Sequence, residues 1–301
     1  MKTYFRKTTC PSCRHDYDPI ENHCPHCGYS DSNRRDFYAF EHQIKDKIPM
    51  QIAYFLIGFI GFQLLGVFLA VIFQSAYIAG HPDATLADLT EWSTSLGPSF
   101  LLQALAYSIL LLVFALIIII SRRLPRFIES FKSWKPFVFG LIGAGVILGI
   151  NELYSLMISG IFSWAGYAPP EVNHNEQLIR DFCVAYPAAS LIIFGIIGPI
   201  CEEIGYRVGL FSFLCRAGKV IGYVGSALIF GFIHFNWSAL FDPALHASLP
   251  MEFANIPGYI GAGLALAFLY DRFGLASSLT AHTLNNLVSL TVTIIGGANH
   301  A

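Results

Sequence analysis

Long apolar runs alternate with short polar segments along most of this chain. We place seven such runs near residues 51–78, 98–120, 136–164, 183–215, 219–237, 256–271 and 274–295. A helix that spans about 30 Å of hydrocarbon needs about 20 apolar residues, because it rises about 1.5 Å per residue. The pattern predicts an all-α polytopic membrane protein with about seven transmembrane helices, surrounded by a lipid bilayer.

The composition agrees with this fold class. Of 301 residues, 54% are hydrophobic and 13% are charged, whereas a soluble domain carries about 25% charged residues. A soluble protein with unusually apolar core helices is the alternative, and several successive runs of this length disfavour it. The net charge of −2 shows no basic footprint, so we expect no nucleic-acid partner.

A small polar head precedes the first apolar run. Cys10 and Cys13 form one CxxC pair, and Cys24 and Cys27 form a second pair ten residues further on. This spacing is typical of a four-cysteine zinc ribbon, so residues 1–30 are predicted to bind a structural zinc ion. Two disulfides are the alternative, and they would require an oxidising compartment. We expect no cleavable signal peptide, because no apolar segment precedes the cysteines.

The charges between the apolar runs predict the orientation of the bundle. Residues 31–50 form a mixed-charge juxtamembrane linker, predicted to be helical, and residues 51–165 hold the N-terminal transmembrane helices. The segment after the second run is basic, whereas the segment after the first run contains acidic residues and no Lys or Arg. Because basic loops stay in the cytoplasm, we expect an integral protein of the cell (inner) membrane with a cytoplasmic N-terminus.

Strongly polar residues interrupt the apolar runs of the C-terminal half. They are Glu202, Glu203, Arg207, His234, His282 and Asn286. Counted from the predicted cytoplasmic ends, Glu202 and His234 lie roughly 20 Å deep and His282 roughly 15 Å deep. A charge at such depth costs a few kcal/mol or more. Three helices that bring polar groups to similar depth predict one shared site near the midplane.

The spacing within each run separates the roles of these residues. Glu203 and Arg207 are four residues apart, so they can pair on one helix face. Glu202 points about 100° away from Glu203 and can face a different partner. Pro199 removes a backbone donor just before the two carboxylates and predicts a kink. Glu152, in the third run, is a further candidate for facing the same cavity.

This set of side chains fits hydrolytic chemistry. A carboxylate in a low-dielectric site is a competent general base. Histidines can share that work, donate to an oxyanion or bind a metal, and the Asn286 amide can donate a hydrogen bond to a developing oxyanion. Together they could activate water and hydrolyse an amide bond without a covalent intermediate.

Three motifs carry a family resemblance. They read Glu202-Glu203-x-x-x-Arg207, Phe230-x-x-x-His234 and His282-x-x-x-Asn286. In order and helix placement they resemble the signature of the CPBP intramembrane proteases. That family includes type II CAAX prenyl endopeptidases and abortive-infection or bacteriocin-processing proteins. The resemblance covers residues 183–295, which it identifies as the catalytic transmembrane core.

The resemblance also implies a role for each motif residue. Glu202 would activate water with His234 as its partner, and His282 with Asn286 would stabilise the oxyanion. The Glu203–Arg207 pair would support the site. Whether a catalytic metal is held by the histidines and Glu202 stays open, although no HExxH motif is present.

Two other classes of function compete with an intramembrane endopeptidase that cuts a peptide or membrane-protein substrate. One is a non-catalytic binding or bacteriocin-immunity protein that uses the same polar cavity. The other is a proton-coupled transporter, since buried Glu, His and Arg residues also build proton relays. Transport is disfavoured because the polar residues are confined to the C-terminal half, with no evident internal repeat. The substrate and the oligomeric state stay open.

Overall fold

The computed structural model describes residues 8–10, 13–17, 24–27, 43–44, 46–166 and 172–298. In the head, strands β1 (Thr8–Thr9) and β2 (Asp16–Tyr17) pair antiparallel. The predicted juxtamembrane helix falls mostly outside the described residues. Its described part, residues 43, 44, 46 and 47, is not helical.

Helices dominate the described part of the chain and confirm the predicted all-α membrane class. They are α1 (Ile48–Gly80), α2 (Leu86–Thr94), α3 (Leu96–Ile120), α4 (Leu124–Glu129), α5 (Lys135–Trp164), α6 (His174–Ala185), α7 (Pro187–Leu214), α8 (Lys219–Phe232), α9 (Ser238–Phe241), α10 (Leu249–Phe273) and α11 (Leu275–Ala298). A 3₁₀ helix, Pro243–Ser248, leads directly into α10. Helix α1 contains a π-helical stretch, Ile57–Gly61, and α7 contains two, Ile193–Ile197 and Glu203–Phe211.

The predicted count of about seven spans is not confirmed. Within the described residues, five helices are long and apolar enough to cross a membrane: α1, α3, α5, α7, and α10 with its 3₁₀ lead-in. Helix α8 is apolar but has 14 residues. Helix α11 has 24 residues, but Ser, Thr, His and Asn side chains in its first half lower its hydropathy. Helices α8 and α11 therefore account for the difference between the seven predicted spans and the five found.

Three predicted runs differ in their bounds from the helices of the structure. The run at 183–215 is broken at Tyr186, whose backbone leaves the helical region (φ −135°, ψ 62°). The cause is Pro187, which disfavours a helical conformation in the residue before it. The run at 219–237 ends as a helix at Phe232, so His234 lies in the turn that follows. The run at 256–271 begins earlier, at Leu249.

Helices α1 and α7 pack backbone to backbone at glycines. A Cβ atom added to Gly58 would lie 3.2 Å from the Cα of Gly205. One added to Gly209 would lie 2.7 Å from the backbone nitrogen of Phe55. Small residues allow such close approach between membrane helices. This contact fixes α7, which carries the two adjacent carboxylates, against the first helix.

The helices alternate in direction, which defines two ends of the bundle. We call the end where α1, α5, α8 and α11 begin the basic end, and the opposite end the acidic end. At the basic end the segment before α1 is tied into the bundle by side chains. The Arg123 Nε donates to Asp46 Oδ2 at 2.5 Å, and Gln43 Nε2 donates to Asp271 Oδ1 at 2.9 Å. The Ile44 amide donates to the Tyr270 hydroxyl.

Candidate active site

A fully buried ion pair lies behind the site. The side chains of Glu203 and Arg207 have no exposed surface, and Arg207 Nε lies 3.5 Å from Glu203 Oε1. The guanidinium carbon also lies 4.6 Å from the centroid of the Phe230 ring, a cation–π distance. The same Glu203 oxygen accepts a hydrogen bond from His282 Nδ1 at 3.0 Å. That bond places the Nδ1 proton and leaves His282 Nε2 facing Glu202.

Helix geometry in α7 aligns this pair. Residues Glu203–Phe211 are π-helical, and π turns occur frequently at functional sites. Side chains four residues apart lie on one face of the helix. Pro199 lies in the short α-helical segment Gly198–Glu202 between the two π-helical stretches. The predicted kink at Pro199 stays a prediction, and the structure shows π-helical turns on either side of this segment.

Glu202 lies at the boundary between the buried pair and open space. Its side chain is 17% exposed, and its Oε2 lies 3.7 Å from His282 Nε2. Its other oxygen, Oε1, accepts a hydrogen bond from the Tyr107 hydroxyl at 3.1 Å. The two carboxylates thus flank the His282 ring from opposite nitrogens, and Glu202 is the one that reaches the cavity.

His234 is held in one tautomer and one orientation. Its Nδ1 lies 2.8 Å from the Phe230 carbonyl, so Nδ1–H donates and Nε2 keeps a lone pair in the neutral ring. The ring stacks on Tyr259 with centroids 4.2 Å apart. In the described part of the chain, His234 makes no direct hydrogen bond with Glu202, although both line the same cavity.

A buried carboxylate at the acidic end fixes the turn that carries His234. Glu252 is 1% exposed, and its two oxygens accept hydrogen bonds from the backbone amides of His174 and Asn236. The Asn173 amide donates to the His234 carbonyl at 3.1 Å. These contacts tie the turn to the starts of α6 and α10.

Within the described residues, Asn286 uses one of its two amide protons. Its Nδ2 donates to the Phe194 carbonyl at 3.0 Å, and its Oδ1 accepts from Asn285 Nδ2 at 3.3 Å. A carboxamide nitrogen carries two protons, so the second one can serve a group in the cavity. The Asn285 bond also sets which end of the Asn286 amide is the donor.

One cavity connects these groups. It has a volume of about 1010 Å³ and extends from the centre of the bundle to the acidic end. Of the predicted site residues, Glu202, His234, His282 and Asn286 line it, whereas Glu203 and Arg207 do not. Glu152 also lines it. The volume falls at the upper end of the range of about 300–1,000 Å³ that is usual for ligand sites.

Two contacts were missed by sequence reasoning. Tyr107 lies on α3, outside the three motifs, and a single tyrosine in an apolar run gives no sign of its partner. Glu252 was also missed, although a carboxylate next to an apolar run was a usable signal. Both residues lie far from the motif segments in sequence and contact them only in the folded protein.

The four cysteines of the head lie close together in a geometry that can bind a metal ion. Their sulfur atoms all lie within 4.8 Å of one another. The Cys10–Cys27 pair is separated by 3.7 Å and the Cys13–Cys24 pair by 3.6 Å. A tetrahedral site with metal–sulfur bonds of about 2.3 Å has sulfur atoms about 3.8 Å apart. Among the described residues, this is the one group of three or more His, Cys, Asp or Glu ligands that fits.

The fold and site together define a polytopic helical membrane protein with a buried Glu/His/Asn cluster. Residues 184–288 match the family model described as type II CAAX prenyl endopeptidase Rce1-like. This match confirms the family resemblance predicted from the three motifs, over about the segment predicted for it.

Two curated relatives match over part of their length. An uncharacterized protein of Mycoplasma capricolum subsp. capricolum is 27% identical over 177 residues, which are 55% of this chain and 47% of that protein. The "Putative membrane peptidase YdiL" of Bacillus subtilis (strain 168) is 26% identical over 159 residues, which are 52% of this chain and 57% of that protein. The chain thus spans about half the length of these relatives. No solved structure matches. The family model and the Bacillus name point to one class, the membrane peptidases.

Proposed function

We propose that this chain is an intramembrane endopeptidase of the CPBP type that hydrolyses a peptide bond with water activated by Glu202. The observation that supports this most is the position of Glu202, whose carboxylate reaches a large cavity between Tyr107 and His282. The family match at residues 184–288 agrees with the same chemistry.

The 3.7 Å between Glu202 Oε2 and His282 Nε2 lets one water molecule contact both atoms. Glu202 takes a proton from that water while the oxygen attacks the carbonyl carbon of the substrate. The same proton then passes to the leaving nitrogen as the carbon–nitrogen bond breaks. No covalent intermediate with the enzyme forms.

The negative charge that develops on the carbonyl oxygen needs donors. The free Nδ2–H of Asn286 is one, and His282 is the second when its Nε2 carries a proton. His234 assists Glu202 through its Nε2 lone pair, by holding the water or by accepting its proton. Glu203 and Arg207 support the site by orienting His282 from behind.

Zinc is the metal that we propose for the head, held by Cys10, Cys13, Cys24 and Cys27, because four thiolates form a closed structural site. The head and the basic end face the cytoplasm, and the chain lies in the cell (inner) membrane. Its partners are the bilayer and a peptide or membrane-protein substrate. In this proposal the head is residues 1–30 and the linker is residues 31–50. The N-terminal helices are residues 51–165, and the catalytic core is residues 183–295.

Membrane peptides from cells that carry the wild-type chain are compared with those from cells that carry Glu202→Gln. We expect cleavage products in the first sample that are missing in the second, with equal amounts of inserted protein. Glu129→Gln, an exposed carboxylate at the basic end, is the matched control and keeps the products. If both variants behave like the wild type, a peptide-binding or immunity role for the same cavity replaces the catalytic one.

A further inference from the structure

The cavity is closed toward the basic end. On α11 the lining residue nearest to that end is His282, 7 residues after the first residue of the helix, Leu275. On α5 it is Ile147, 12 residues after the first residue, Lys135. On α1, Gly58 is the first lining residue, ten after Ile48. At about 1.5 Å per residue, roughly 10–18 Å of packed helices separate the cavity from the basic end.

Toward the acidic end, residues close to the helix termini line the cavity. Thr293 and Gly297 line it near the end of α11, and Ser159 lines it near the end of α5. Glu176 and Arg180, on the surface helix α6, also line it, and their side chains are 38% and 47% exposed. The opening therefore lies at the acidic end.

The charges of the connecting segments orient these two ends. Residues 121–134, at the basic end, contain Arg122, Arg123, Arg126 and Lys132. The segments at the acidic end, 81–95, 165–186 and 233–248, contain a single Lys or Arg, Arg180. By the positive-inside rule the basic end is cytoplasmic. The zinc-binding head lies on that same side, because the residues between it and α1 contain no apolar run.

We infer that the active-site cavity is loaded from the outer face of the membrane. Resting on the proposed endopeptidase function, this names the substrate class: segments of secreted or membrane-inserted polypeptides that are exposed on the outer face. A prenylated tail on the cytoplasmic face would have to cross the closed part of the bundle, so it is not the substrate.

Cysteine accessibility tests the direction of the opening without any catalysis. Ser159→Cys and Thr293→Cys place a thiol in the cavity, and Ser133→Cys places one in the exposed segment at the basic end. Each full-length variant is treated with a charged, membrane-impermeant maleimide in right-side-out and inside-out vesicles. The native Cys183, Cys201 and Cys215 are buried, whereas Cys13 and Cys27 of the head are not. Labelling of the wild-type chain in each vesicle orientation is therefore subtracted from that of every variant.

We expect at least tenfold faster labelling of Ser159→Cys and Thr293→Cys in right-side-out vesicles than in inside-out vesicles. Ser133→Cys should show the opposite preference. Labelling of all three variants from one face would overturn the inference, and so would a cavity thiol that reacts only in inside-out vesicles. Two cavity positions on different helices guard against a variant that does not fold.

The substrate class is tested by mapping cleavage products that depend on Glu202. We expect the new N-termini to lie in segments of membrane or secreted proteins that face outward, and sites in cytoplasmic segments would contradict the inference. The two experiments fail separately. If no products depend on Glu202 but the labelling pattern holds, the endopeptidase proposal fails while the outward opening stands.

Discussion

Tyr107 is the residue whose role in the site was least visible along the chain. Its hydroxyl donates to Glu202, although it lies on α3, 95 residues earlier. A hydrogen bond to a charged group contributes about 1.5–3 kcal/mol. We therefore expect Tyr107→Phe to lower kcat by about ten- to a hundredfold, measured on a product identified with the wild-type chain.

Tyr223→Phe is the matched control for that change. Its hydroxyl also donates to a carboxylate, Asp271 Oδ2 at 3.0 Å, but at the basic end of the bundle. It should leave kcat unchanged when the folded protein is assayed. Equal loss of activity in both variants would show that Tyr107 acts through general stability and not on Glu202.

Substitutions of the two adjacent carboxylates should differ in their effect on the stability of the protein. Glu203→Gln leaves the Arg207 charge buried without its partner, a change that costs about 3–5 kcal/mol. Glu202 is partly exposed, so Glu202→Gln should unfold within about 1 kcal/mol of the wild type. Thermal unfolding in detergent measures both, with Glu129→Gln as a surface reference. A Glu203→Gln variant as stable as Glu202→Gln would refute the supporting role of the pair.

The motif residues could be predicted because a charge inside an apolar run is expensive and therefore visible. Depth along each helix then predicted that Glu202, His234 and His282 share one site. Tyr107 and Glu252 could not be assigned partners, because their hydrogen bonds join distant parts of the chain. The position of the His282 ring between two carboxylates could not be predicted either, since its two nitrogens face different residues of α7.

At the scale of elements, the close packing of α1 on α7 depends on single glycines. A Cβ atom at Gly209 would lie 2.7 Å from Phe55 N and 3.0 Å from Gln51 O, both backbone atoms that cannot rotate away. We expect Gly209→Ala to lower the free energy of unfolding by about 1–3 kcal/mol, the usual cost of overpacking. Gly66→Ala, where nothing lies within 4 Å, is the control on α1. Equal melting temperatures in detergent would contradict the contact.

Helix α2 carries a pH-dependent cap outside the membrane spans. The Thr85 hydroxyl and backbone N–H donate to Asp88 and lower the pKa of its carboxyl group. A lowered folded-state pKa stabilises the helix above the unfolded value of about 3.9, and the contribution is lost as the pH falls through the folded value.

Amide exchange tests this cap when the wild type is compared with Asp88→Asn at equal pH. We expect slower exchange in wild-type α2 near neutral pH, and no difference between the two proteins once the pH has fallen below the lowered folded-state pKa of Asp88. Because both proteins share the same intrinsic exchange rates, any difference reports on the cap. A difference that persists in acid would argue against it.

The helix boundaries show what the apolar pattern could not supply. It located the long spans, but the run at 183–215 included the last three residues of α6, because Cys183 and Val184 continue the apolar sequence up to Tyr186. The signal for the break is Pro187, which disfavours a helical conformation at Tyr186. The turn at His234 had no comparable signal, because its geometry comes from Glu252 and Asn173, on other elements.

For the whole molecule, the metal content separates the head from the proposed catalytic core. We expect one zinc ion per chain by elemental analysis, lost in the double variant Cys10→Ser with Cys13→Ser. Cys183, Cys201 and Cys215 are buried and do not belong to this group. A second zinc ion that survives the double change would assign a metal to Glu202 and the histidines.

The ties at the basic end decide where this protein can be shortened. Arg216, in the turn after α7, donates to the Asp46 carbonyl and to the Gln51 side chain. It therefore holds residues just before and after the start of α1. With Gln43 on Asp271 and Ser212, these residues belong to the bundle and not to a free linker. A truncation that removes the head should therefore begin no later than Gln43. One that begins at Gln51 would leave the buried carboxylate of Asp271 without its amide donor.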